Sequence, residues 1–279
     1  MRTHPIIRLT EPQTLFNEPS FNSLPDGMLP IADKPLVAYL IEALAELGHK
    51  EITLAVSKET VDRIKSLGSG EFWGVSLQII NRDINRNIDI HLHELCSKKV
   101  TEVMILPCHS MQDIIAIRNN SALKRIAIID TNQINKELKL APAETTYDLD
   151  HYFEDNLLAL GDQKKFMIDG FELKENLFVN SGCRYPRTSI TQRDGVIYIG
   201  ESAHLQASCD LSGDTVVGKG AIVDDHVTLN RTVILPNTYI GKNLNLSNCI
   251  VGKSWVYNTM TKGLIAIEDE ALLGACITS

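Results

Sequence analysis

The stretch IGESAHLQASCDLSGDTVVGKGAIVDDHVTLNRTVILPNTY, residues 199–239, carries an aliphatic residue every six positions: Ile199, Leu205, Leu211, Val217, Val223, Leu229 and Leu235. Six is a multiple of the strand period of two and of no helical period, so these side chains share one face of successive short strands. Four places after each comes a second, mostly small or β-branched residue: Ala203, Cys209, Thr215, Ala221, Val227 and Val233, with Tyr239 breaking the size rule. Short strands at a fixed period imply a stacked coil in which each turn covers the apolar face of the last. The period resumes at Ile240-Gly241 and Leu246 after a one-residue offset, and Leu177-Phe178-Val179 and Ile190 read as weaker, earlier rungs.

Three hexads, Ile199–His204, Val217–Ile222 and Val223–Thr228, show an aliphatic residue, then a small or acidic one, then a small one three further on. They resemble the hexapeptide repeat of left-handed parallel β-helices, in which three hexads make one triangular coil. The resemblance implies a left-handed β-helix with a C-terminal tail over residues 166–279.

Upstream, the pattern changes. Residues 1–26 hold no glycine and no clear period, and read as irregular chain. After Gly27, Leu36, Tyr39, Leu40, Ala43, Leu44 and Leu47 recur at spacings of three and four, which predicts an amphipathic helix with Pro35 near its start and Gly48 at its end. Ile52–Val56, Val75–Ile80 and Val103–Leu106 read as strands. Lys58–Leu67 and Ile84–Cys96 read as helices between them, Ile126–Asp130 as a further strand and His151–Leu160 as a further helix. Strands alternating with helices predict a parallel sheet over residues 1–165.

Composition narrows the function. The 279 residues suffice for two domains, and 44% hydrophobic with 22% charged residues is ordinary for a globular chain. A net charge of −8 with no Lys/Arg cluster argues against nucleic acid as a partner. No apolar stretch reaches the roughly 18 residues that span a bilayer, so no membrane association and a cytoplasmic location are expected. Six scattered cysteines without a CxxC pair suit free thiols better than zinc ligands or a disulfide frame.

Leu29-Pro30-Ile31-Ala32-Asp33-Lys34-Pro35-Leu36, the helix end Ala45-Glu46-Leu47-Gly48, the strand Glu51–Val56 and Gly70-Glu71-Phe72-Trp73-Gly74-Val75 resemble, in order and spacing, the sugar-1-phosphate nucleotidyltransferases, or nucleotide-sugar pyrophosphorylases. Many members of that family also carry a C-terminal left-handed β-helix. The resemblance covers residues 24–110 and 170–255. It implies a reduced Rossmann-like nucleotidyltransferase domain, α/β in class, followed by a hexapeptide-repeat coil.

Nucleotidyl transfer needs phosphate charge neutralised while nucleophile and leaving pyrophosphate are held in line. Three devices of the family are altered here. No glycine-rich loop precedes Gly27; Ile6-Ile7-Arg8-Leu9-Thr10 stands in that region, so Arg8 is a candidate phosphate contact. The family's lysine ahead of the Leu-Pro-Ile segment is Asp26 here, within the turn-forming Pro25-Asp26-Gly27, which leaves Lys34 as a candidate substrate-binding residue. The metal-binding aspartate after the Val103–Leu106 strand is replaced by Pro107-Cys108-His109-Ser110. His109, Asp113 and Asp130 are the substitute catalytic candidates, each equally readable as a loop or turn residue.

His91 and His93, with Cys96 three further on, resemble a metal cluster at first sight, but the two histidines point apart on a helix and the segment reads as a solvated helix, so no metal site is expected. His204 and His226 are candidate general bases only for a hexapeptide-class acyltransferase. The expectation is therefore an inactive or strongly altered nucleotidyltransferase-like protein, acting as a binding, regulatory or assembly subunit in nucleotide-sugar or polysaccharide metabolism. An active enzyme with a rebuilt site is the alternative, and only that alternative requires Mg²⁺. Partners implied are a nucleotide or sugar phosphate, and a second copy or partner subunit engaged through the β-helix.

Overall fold

Thr3–Arg8, inside the stretch expected to be irregular, is strand β1 at the centre of a five-stranded sheet. His4, Ile6 and Ile7 are all buried. A central parallel strand is covered on both faces, so it shows a short apolar run without alternation, and Pro5 removes one ladder donor. Those two features hid it from a reading by period. The computed structural model describes residues 3–9, 24, 26–57, 61–81, 95, 100–108, 110–119, 127–130, 147–161, 168–185 and 194–276. Most of the helix expected over Ile84–Cys96, the weak rung at Ile190 and His109 lie outside those residues.

The chain divides into two compact units, Met1–Leu29 with Pro35–Tyr147, and Pro30–Lys34 with Asp148–Ser279. The sequence reading sets one division, at 165/166. The second unit instead begins before helix α4 (Leu149–Gly161) and takes in five residues from the Leu29–Leu36 stretch.

In the first unit the strand order is β5 (Ser76–Asn81), β4 (Glu51–Val56), β1, β6 (Glu102–Pro107), β7 (Ala127–Asp130). β1 runs parallel to β4 and β6, placing Ile6 level with Thr53 and Ile105. β7 is antiparallel to β6, with Asp130 opposite Glu102, so the sheet departs from all-parallel at this edge. Helix α1 (Leu36–Glu46) starts on Pro35 and buries Leu36, Tyr39, Leu40, Ala43 and Leu44 as the spacing predicts. It also buries Val37, Ala38 and Ile41, while Leu47, expected on the same face, lies past its end and is exposed, followed by Gly48 at φ 92°. It packs on α3 (Met111–Arg118), where the Arg118 guanidinium meets both Glu46 carboxylate oxygens. The helix expected over Lys58–Leu67 is α2 (Val61–Ile64) continued as a 3-10 turn through Leu67.

In the second unit the chain returns over itself in register along three parallel ladders. One stacks Val179, Ile199, Val217, Ile234 and Val251. Another stacks Leu205, Val223 and Ile240, and the third Leu211, Leu229 and Leu246. After a first return of 20 residues from Val179 to Ile199, each return takes 18 residues as far as Leu229 and 17 after it, as in Leu211↔Leu229 and Leu229↔Leu246.

The missing residue falls between Leu229 and Ile234, at a corner where Arg231 has φ 49°. Ile234, and not Leu235, therefore continues the inner stack, and Thr238 takes the small-residue position that the unbroken hexad assigns to Tyr239. This explains the misfit: Thr238 is fully buried, whereas Tyr239 points outward and donates from its hydroxyl to Asp224 at 3.1 Å. Thr215 and Thr232 fill equivalent inner positions and satisfy their hydroxyls on main-chain carbonyls, Thr215 on Ser212 and Thr232 on Leu246.

The first ladder ends in antiparallel strands. β8 (Phe171–Lys174) pairs with β9 (Leu177–Val179) at one end; β18 (Trp255–Asn258) and β19 (Gly263–Ala266) fold back on β17 (Asn245–Val251) at the other. Helix α4 lies along this unit. The Arg231 guanidinium stands 5.2 Å over the Phe153 ring, and the Tyr257 hydroxyl donates to Asp150 at 3.1 Å.

Candidate functional site at the carboxyl edge of the parallel sheet

Open parallel sheets bind ligands outside the carboxyl ends of their strands, where the strand order reverses. In the first unit that point lies between β1 and β6. Arg8 ends β1, level with Ala55 and Pro107, so it shares this edge with the chain that leaves β6. Its Nε is buried without a hydrogen-bond partner.

The described residues beside that point pack an apolar cluster. A 3-10 turn at Asp26–Met28 brings the Gly27 α-carbon between Leu9 and Cys108. A β-carbon there would overlap the Leu9 Cδ2 and sit 3.2 Å from the Cys108 Sγ, so a larger residue would require the Leu9 side chain to shift. Leu9, Met28, Leu29 and Cys108 are all buried. Where the family resemblance calls for phosphate-cradling backbone and a metal carboxylate, the described residues pack hydrocarbon and one thiol.

The sequence-derived candidates do not converge. Asp113 lies at the start of α3, its backbone N–H donating to the N-cap Ser110 Oγ at 3.2 Å. A carboxylate in the first helical turn meets the positive end of the helix dipole, a structural role that accounts for its residue type. Asp130 ends an antiparallel strand, so it stands at the opposite edge of the sheet, about 17 Å away along the strands. Lys34 belongs to the second unit and is buried. His109 lies outside the described residues. Of the three described candidates in the first unit, Arg8 and Asp113 share the carboxyl edge and Asp130 does not. Among the described residues, no three His, Cys, Asp or Glu side chains are grouped to hold a metal ion.

Two features were not legible beforehand. One is a cleft of about 270 Å³ at the amino edge of the same sheet, lined by Thr3, His4, Gly48, His49, Lys50 and Glu51. The buried His4 shares a hydrogen bond with the Thr53 Oγ1 at 2.8 Å, and burial pushes the His49 imidazole below its ordinary value.

The other is the turn Ala32-Asp33 of the second unit, where both residues take positive φ, 44° and 62°. Such a turn is strained for alanine and persists when its surroundings hold it. Here the Ala32 N–H donates to the Asn156 Oδ1 at 2.9 Å, the Tyr152 hydroxyl donates to the Pro30 carbonyl at 2.8 Å, and the Lys219 N–H donates to the Asp33 Oδ1 at 2.9 Å. The Asp33 carboxyl sits where a side chain on Gly200 would be, which explains the glycine in that hexad. Burial pushes its pKa from 3.8 to about 6, only partly offset by the Lys219 N–H. In sequence Asp33 is one letter of a scaffold motif, and nothing local points to a partner 186 positions away.

His204 is half-buried, and His226 is an exposed corner residue at φ 60°. Cys209 and Cys249 lie inside the coil, where burial pushes both thiols up to about 11, and none of the five described cysteines is in a disulfide. No described helix is long and apolar enough to cross a membrane.

No protein-family model matches this chain, and no curated protein matches it. Among solved structures, the chain is similar to a protein from Bacillus anthracis described as a glucose-1-phosphate thymidylyltransferase, determined in complex with sucrose. Identity is 22% and the TM-score 0.31, with the alignment covering 38% of this chain and 43% of that one.

Proposed function

We propose that this chain is a nucleotidyltransferase-like protein that does not itself transfer nucleotides, and that it serves as a binding or assembly subunit in cytoplasmic nucleotide-sugar or polysaccharide metabolism. Its second unit is read as a left-handed parallel β-helix, a reading supported by the 17- and 18-residue returns along three ladders. The observation that carries the functional proposal is the apolar packing of Gly27 between Leu9 and Cys108 beside the strand-order reversal. Among the described residues this surface offers a triphosphate no cradle of backbone N–H groups, and a hard divalent cation gains nothing from a thiol. Asp113 is accounted for as a helix-start residue, and Asp130 is far from it.

Incubating the protein with Mg²⁺, each nucleoside triphosphate and a panel of sugar 1-phosphates is expected to release no pyrophosphate above background. Robust turnover that disappears in Asp113→Asn or Asp130→Asn would overturn the proposal.

Binding without turnover is a separate expectation, and Arg8 supports it. A buried guanidinium N–H without a partner is unfavourable until an anion meets it. Titrating nucleotides and sugar phosphates by calorimetry should show saturable binding that Arg8→Ala weakens by roughly 10- to 100-fold. Equal affinity in the two proteins would remove Arg8 from the site.

A further inference from the structure

β19 ends the nine-stranded ladder of the second unit, and among the described residues no strand pairs with its outer edge. Native sheets protect such edges with charge, proline or a covering element. Here Gly263-Leu264-Ile265-Ala266-Ile267 contains neither charge nor proline. Leu264 and Ile265 are 50% and 56% exposed. We infer that two copies of this chain pair edge to edge through β19, antiparallel about a two-fold axis at Ile265. The inference deepens the assembly part of the proposed function and rests on that part alone.

The backbone sets the parity. The Ile267 N–H donates inward to the Ser254 carbonyl at 2.7 Å, in register with Trp255↔Ala266. Antiparallel pairs alternate between bonded and unbonded positions, so Ile265 and Gly263 also turn their main-chain groups towards β18. Leu264 and Ala266 turn theirs outward. A two-fold axis at residue 265 then sets Leu264 opposite the partner's Ala266, an arrangement in which both outward N–H groups find both outward carbonyls. An isologous interface must be self-complementary in this way.

Charge selects the same register. In it, Lys262, a turn residue at φ 56° just before the strand, and the partner's Glu268, just after its own strand, come to the same end of the pairing, so the apolar stretch is flanked at both ends by opposite charges. Both side chains are exposed. Shifting the axis to Leu264 would keep the backbone parity but set Lys262 against the partner's Ala266 and leave Glu268 beyond the pairing. Lys262 also lies 2.8 Å from Asp150 of its own chain, an exposed contact compatible with a second carboxylate nearby.

Sedimentation velocity on the full chain tests this. The wild type should dimerise; Lys262→Glu and Glu268→Lys should each weaken the dimer about tenfold or more through like-charge contacts, and the double reversal should restore it. Asp150→Asn should leave it unchanged. In addition, Ile265→Cys should give a disulfide-linked dimer on mild oxidation, because an unbonded pair on the axis brings its α-carbons to about 4.5 Å; Leu264→Cys should not. A dimer indifferent to the charge reversals, with no cross-link at residue 265, would overturn the β19 interface while leaving assembly through another surface standing. A wild type that stays monomeric at high micromolar concentration would overturn self-assembly altogether and leave the absence of nucleotidyl transfer untouched. Circular dichroism of each variant separates loss of pairing from loss of fold.

Discussion

Leu229→Ala is expected to destabilise the second unit by about 3–5 kcal/mol, the largest effect of any single truncation proposed for this protein. Leu229 is fully buried and sits between Leu211 and Leu246 in one ladder, each held in place by main-chain pairing to its neighbour. A cavity in that stack cannot collapse without breaking those ladders, which places the cost towards the upper part of the range for leucine truncations. In a stacked repeat each turn contacts only its neighbours, so the loss propagates to the turns above and below. The chain offers a convenient probe, since its two tryptophans lie in different units, Trp73 in the first and the buried Trp255 in the second. In a Trp73→Phe background, denaturant unfolding followed by fluorescence reports Trp255 alone. A shift below 1 kcal/mol would mean that Leu229 does not face a packed interior.

Asp33→Asn should stabilise the protein at neutral pH, by as much as roughly 3 kcal/mol, and should flatten part of its pH dependence. The sign follows from burial. The folded-state pKa of Asp33 is raised from 3.8 to about 6, so the folded form holds the proton more tightly than the unfolded form does. Stability from this residue is therefore greatest below about pH 4, declines as pH rises to about 6, and is level above that. This is opposite to a carboxylate in an ion pair, such as Asp148, whose backbone and side-chain hydrogen bonds with His151 hold it low despite partial burial. Asparagine keeps the oxygen that accepts from Lys219 and tolerates the positive φ of 62°, but it alters the hydrogen bond between the carboxylate and the Tyr198 side chain, so the figure is an upper bound. Measuring unfolding free energy between pH 4 and 8 for both proteins isolates the Asp33 contribution as their difference. A variant less stable than wild type at pH 7 would mean that the ionised carboxylate is a net support of the Ala32-Asp33 turn.

These two residues mark the two kinds of information in the chain. Leu229 was legible because a period of six is written locally: alternate side chains of short strands repeat wherever the coil repeats. Helix α1 was legible for the same reason, from its spacings of three and four and its flanking Pro35 and Gly48. The period misled at one place. The sequence shows the one-residue offset only at Ile240, because Val233 and Leu235 are themselves aliphatic, and the pairing of Val217 with Ile234 places it earlier, at the corner before Ile234. Likewise the direction of β7, which separates Asp130 from Asp113, has no signature in the four residues of that strand.

The candidate site was less legible than the fold. Arg8 was singled out by its place in a degenerate phosphate-loop region, but its position at the end of a central strand was not, because a strand buried on both faces has no alternation to betray it. By itself, then, the sequence determined the stacked coil, the first helix and most of the sheet strands, since each rests on side-chain periodicity within a dozen residues. Only the tertiary structure decided that Gly27 packs between Leu9 and Cys108 and that Asp33 is buried against Lys219. It also decided that Asp113 and Asp130 stand apart. Those outcomes depend on which distant segments meet, and burial and hydrogen bonding between residues so far apart leave no periodic trace in the chain that encodes them.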